Sequence, residues 1–153
     1  MHCLLAFLFG VIAGLRSMTP PAAVSWAAWS GRLALGGSWL WFLGHPVSPW
    51  VFTVFAVGEL AADKHPATPS RKQPIGFVAR LCSGGLCGAA LGLTASAWWW
   101  ASLWGIAGAI VGTLGGAAGR GWLAKSLGKD WAAALIEDLV AVGLAGIVFA
   151  LLP

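Results

Sequence analysis

Residues 14–26 read GLRSMTPPAAVSW, and the architecture of the chain turns on them. An apolar run, HCLLAFLFGVIAGL, leads into Arg16, and two consecutive prolines follow at 20 and 21. Pro21 suits the first turn of a helix, where its missing N–H has no partner to lose. Thr19 and Pro20 each precede a proline and are pushed toward extended geometry. The spacing therefore predicts one helix ending near Ser17 and a second starting at Pro21. The N–H groups of Ala22 and Ala23 would point back toward Arg16, and such a helix start attracts anions.

The surroundings of this break are apolar throughout. Of 153 residues, 59% are hydrophobic and 9% charged, with 11 Trp and 22 Gly. Soluble domains carry about 25% charged residues, so this chain has too little polar surface to cover itself in water. It is expected to be a single transmembrane domain over 1–153, with the lipid bilayer as its solvent. The first charge, Arg16, follows the N-terminal apolar run, which is the wrong order for a signal peptide. The run is expected to be retained.

Three segments reach the ~20 apolar residues that a bilayer crossing requires: 75–93, 101–119 and 131–152. A fourth, 47–62, is short but has the same character. The segment TASAWWW, 94–100, has no charge and three Trp, which suits an interfacial belt on the outer face. Residues 31–48 are expected to lie along that face too. Basic residues gather in 63–74 (Lys64, Arg71, Lys72) and 120–130 (Arg120, Lys125, Lys129). The positive-inside rule makes both cytoplasmic loops. Neither is dense enough to track nucleic-acid phosphates.

Depth suggests how the N-terminal pair enters the membrane. Arg16 follows Cys3 by 13 positions, roughly 20 Å of helix, and Glu137 lies about 9 Å into its span. The two reach similar depths when the N-terminus is outside. The expected architecture is an all-α transmembrane bundle of four full spans plus a re-entrant pair of half-helices over 3–30. Five spans with the N-terminus inside is the alternative.

Glycines recur every four residues at Gly84, Gly88, Gly92 and at Gly108, Gly112, Gly116. Small residues at this period let helix backbones approach closely in lipid. They predict a tight hairpin over 75–119, with a glycine-lined pore as the rival reading.

Charges within or beside the spans are the candidate site: Arg16, Arg80 and Arg120 against Glu59, Asp63, Glu137 and Asp138. Each isolated charge near the bilayer centre costs about 3 kcal/mol or more, so these groups should face inward and pair. Glu59 and Asp63 share a helix face. Glu137 and Asp138 diverge by about 100° and cannot serve one partner equally. Thr19 and Pro20 join the set through the break. The pattern shows no HExxH, no nucleophile–base pair and no metal-ligand set, so neither an enzyme nor a cofactor is expected. Cys3, Cys82 and Cys87 read as small buried residues. A faint echo, GVIAGLR against GGAAGR, each followed by an acidic helix, hints at duplicated halves.

GLRSMTPPAAVSW, GELAADKHPATPSR, ARLCSGGLCGAALG and WAAALIEDLVAVGLA together resemble the domain-of-unknown-function 4126 family of bacterial membrane proteins. The resemblance covers nearly the whole chain. Arg16, Thr19, Pro20, Glu59, Asp63, Lys64, Glu137 and Asp138 match its most specific elements. It implies an inner-membrane protein and no established activity.

The leading expectation is a homo-oligomeric transporter or channel subunit for a small solute or ion, with the charges as its binding site. An assembly or scaffold protein is the alternative, and a lipid-acting enzyme the weakest. A wet cavity holding Arg16 and an unpaired acid would mark a pathway. A dry, paired cluster would mark a scaffold.

Overall fold

The computed structural model describes residues 2–62, 73–94, 96–128 and 130–152. Among these the fold is entirely helical: α1 His2–Leu15, α2 Thr19–Trp29, α3 Ser48–Ala62, α4 Pro74–Leu93, α5 Trp98–Leu127 and α6 Asp130–Ala150, with a single 3-10 turn at Trp41–Gly44. Three helices are long and apolar enough to cross a membrane, over Pro74–Leu93, Trp98–Ser126 and Trp131–Ala150. That is consistent with a membrane protein. His2–Leu15 and Ser48–Ala62 are shorter apolar helices.

Sequence patterning explains most boundaries. Proline occupies the first turn of α2 and of α4, where no backbone bond is lost. The second helix starts at Thr19, two residues before the expected Pro21. The Ala22 N–H is not free either: it donates to the Met18 carbonyl at 3.2 Å. The expected loop at 120–130 is also corrected. Helix α5 runs on through Arg120 and Lys125 to Leu127, because RGWLAKSL is rich in good helix formers and holds no proline. It stops at Gly128, whose φ of 65° is the left-handed conformation that ends helices. The other expected cytoplasmic segment, 63–74, lies outside the described residues up to position 72, Asp63 and Lys64 included.

The core is a tight trio of α1, α4 and α5. Helices α4 and α5 run antiparallel. A Cβ at Gly84 would sit 2.6 Å from the Gly105 carbonyl oxygen, and one at Gly92 would sit 2.6 Å from the Trp98 Cα. Such contacts require glycine, because the backbones themselves touch. Helix α1 runs parallel to α5, as shown by contacts in register: Phe7 on Trp104, Gly10 on Gly105 and Ala109, Gly14 on Gly112 and Thr113. Gly108 and Gly112 consequently face Phe7 and Val11 of α1. The hairpin expected over 75–119 therefore closes through the Gly84 face alone, where α4 is met by Ala101, Gly105 and Ala109, while the Gly108 face packs on α1. The four-residue period reveals that a face is small and leaves its neighbour unspecified. Gly116 is half-buried.

Helices α2 and α3 are antiparallel. Trp26 stacks edge-on against Trp50 at 5.1 Å and donates its Nε1–H to Thr53 at 3.0 Å. Helix α3 is peripheral, with Pro49 its one fully buried residue. Residues 31–48 fold over the end of the bundle where α5 begins: Leu33, Leu35, Leu40 and Leu43 are buried, and Trp39 meets Trp98 at 6.3 Å. The cysteines depart from expectation, since Cys87 alone is buried and Cys3 and Cys82 are exposed.

Candidate functional site

The break between α1 and α2 spans Arg16, Ser17 and Met18, and three other helices close around it. Helix α1 ends when the Arg16 N–H bonds the Ile12 carbonyl at 2.7 Å. The next two N–H groups have no carbonyl one turn back to reach, because the chain turns. Glu59 of α3 takes both. Its Oε1 accepts the Ser17 N–H and the Ser17 hydroxyl, each at 2.9 Å, and its Oε2 accepts the Met18 N–H at 2.9 Å. A carboxylate receiving backbone donors at a helix start is favoured by charge as well as by hydrogen bonding.

The anion that the helix start attracts is therefore supplied by the protein itself. Arg16 does not provide an open anion site beside it. Its guanidinium, only 1% exposed, pairs with the Asp138 carboxylate of α6 through Nη2 and Oδ1. The Ser17 carbonyl is satisfied as well, by the Ser83 hydroxyl of α4 at 2.5 Å. The three residues of the break thus draw side chains from α3, α4 and α6. Buried backbone groups without such partners would each cost roughly 1–3 kcal/mol.

The remaining candidates lie nearby but do not all join this knot. Glu137 turns away from Asp138 and lies 4.0 Å from Arg120 of α5. That agrees with the divergence expected for neighbours on a helix. Arg80 is buried on α4, and its Nη1 donates to the Gly76 carbonyl one turn back at 3.2 Å. Thr19 and Pro20 are buried in the first turn of α2. Thr19 Oγ1 and Ser25 Oγ are buried without hydrogen-bond partners among the described residues. Asp63 lies outside the described residues. Among the described residues no group of His, Cys, Asp or Glu could hold a metal ion.

Sequence reasoning missed Ser17 and Ser83. Each is a polar residue in an apolar stretch, which was the available signal. It also missed Gly10, Gly14 and Gly105, although small residues at 6, 10, 14 and at 101, 105, 109 keep the same period of four. A search for any small residue, rather than glycine, finds both faces.

Three helices long and apolar enough to cross a membrane, with Arg16 paired to Asp138 at the break, are consistent with a membrane protein. No curated protein and no solved structure matches the chain. A family model does match, over residues 3–152, and its description is that of a domain of unknown function. The chain belongs to that family, DUF4126.

Proposed function

We propose that this chain is a multi-pass subunit of the bacterial inner membrane that works by assembly, with its charge cluster as a structural lock. In this reading α3, α4, α5 and α6 are four full spans. The directions of α1 (parallel to α5) and α2 (parallel to α6) support a re-entrant pair entering from the outer face. Residues 63–74 and the end of α5 then lie on the cytoplasmic side. Self-association is the simplest assembly, since α3 has few contacts of its own.

The observation that carries this reading is the pairing at the break. Arg16 is matched by Asp138, and Glu59 by three donors. A site built to receive a solute holds donors or acceptors in reserve. Here Glu59 and Asp138 spend theirs on the break, and Thr19 Oγ1 beside it is left over among the described residues of the break and the first turn of α2.

A second reading, a pathway for a small ion or solute in its closed state, has one observation in its favour. Buried ion pairs are often replaceable by apolar residues at no net loss of stability. Three ionisable side chains gather around one break, and such residues within a bilayer are functional candidates by default. Polar tips of broken helices also form transporter sites.

Reconstitution separates the two. Purified protein in vesicles, screened against inorganic ions and small carboxylates, is expected to give no flux above empty vesicles. Arg16→Ala is expected to lower thermal stability. Flux that Arg16→Ala abolishes while the fold survives would replace the assembly reading with the pathway.

A further inference from the structure

The geometry points to a binding site for an anionic phospholipid, its acyl chain along the groove between α2 and α6 and its phosphate on Arg32. The groove is shallow and open along one side, lined by Ala22, Ala23, Trp26, Ala145, Gly146 and Phe149. Its lining is almost wholly apolar, and small residues on both helices leave a channel between two aromatic side chains. A Cβ built at Gly146 meets nothing within 4 Å, so this part of the groove is open space and not tight packing.

Arg32 stands beyond the Phe149 end of this groove. Its guanidinium lies over the Phe149 ring at 5.2 Å, and its Nη1 donates to the Leu152 carbonyl at 3.1 Å. A guanidinium has five donors, and no carboxylate lies against this one among the described residues. The sequence makes the charge more telling. Residues 17–31, 33–58, 81–119 and 139–153 hold no Asp, Glu, Lys or Arg. Among the described residues Arg32 is thus a cation with no carboxylate beside it, at the tryptophan-rich end, where the rings of Trp39, Trp41 and Trp98 are also exposed. A phosphate satisfies a guanidinium bidentately, and interfacial tryptophans sit at headgroup depth. The cation at one end of an apolar groove matches the order of a lipid's own parts.

The test uses the full chain in detergent, with lipid retention read by native mass spectrometry. Dioleoyl phosphatidylglycerol and dioleoyl phosphatidylcholine are the probes. One interfacial cation contributes about 1 kcal/mol, so phosphatidylglycerol should be retained about fivefold better. Arg32→Gln should erase this preference, and Arg32→Lys should keep most of it, which separates loss of charge from loss of fold. Gly146→Trp fills the groove from its open side and should reduce retention of both lipids. Equal retention of the two lipids by the wild type would overturn the site, as would an unchanged preference in Arg32→Gln. If Gly146→Trp leaves lipid retention intact and instead splits an oligomer, the groove holds a second copy of the chain and the lipid proposal fails.

Discussion

The Glu59 carboxylate accepts the Met18 backbone N–H at 2.9 Å, across 41 positions of sequence. With the two bonds from Ser17, it fixes a peripheral helix to the tip of the broken pair. The rest of α3 is held near its other end, through Trp50 and Thr53. The carboxylate is therefore the latch for the lower half of that helix.

Glu59→Gln should loosen this latch without emptying it. The amide keeps one acceptor oxygen, but its NH2 must face a backbone donor. The expected loss is about 1–3 kcal/mol, read as a lower midpoint in tryptophan-monitored unfolding in detergent. Glu59→Ala should also make α3 more susceptible to limited proteolysis. An unchanged midpoint in both variants would remove the latch.

The Arg16–Asp138 pair invites a double-mutant cycle. Arg16→Met and Asp138→Leu alone should each destabilise by about 3–5 kcal/mol, since each strands a buried charge. Combined, they should recover much of that loss, because no charge remains. A double variant no better than the worse single one would show that each side chain does something beyond neutralising the other.

Glycines separate into two groups by what surrounds them. Gly105→Ala pushes a Cβ into the Gly84 backbone, and it should cost several times what a surface change does or abolish folding. Gly143 has open space around its Cβ position. Gly143→Ala should be neutral or stabilising by up to about 1 kcal/mol, the helix-propensity difference. Thermal midpoints of the two variants that coincide would contradict the close approach of α4 and α5.

Topology is checked by labelling. A tag at the N-terminus should react with an impermeant reagent applied to the periplasmic side of intact cells. A tag in 63–72 should react only after lysis. Exchange of the two results, with the 63–72 tag reacting in intact cells and the N-terminal tag only after lysis, would be expected of the re-entrant arrangement turned over, and labelling of both tags only after lysis would favour five spans.

The identity of the charged residues at the break was legible in the sequence because charge in apolar surroundings stands out. Arg16, Glu59 and Asp138 declare themselves in this way, as does Glu137 beside them on α6. Their pairing was not legible. Nothing local distinguishes Asp138 from Glu137 as the partner of Arg16, since that choice depends on how α6 is rotated against α1 and α2. The helix break was visible within two residues, but its chemistry was misread. Proline positions show where a helix can start, whereas the group that satisfies its free N–H groups comes from a helix forty positions away. Helix α5 exceeded its expected length for a related reason. Hydropathy marks the lipid-sized part of a helix, and RGWLAKSL continues the helix by propensity after the apolar pattern ends.

The parallel seating of α1 on α5 sets an order for biogenesis. Gly10 and Gly14 lie against Gly105, Ala109, Gly112 and Thr113, and Arg16 waits for Asp138. A ribosome making this chain delivers the first helix long before the surfaces that receive it. Until α6 emerges, the guanidinium lacks the Asp138 carboxylate. The opening segment of the polypeptide must therefore be parked, at the translocon or the membrane surface, and seated last.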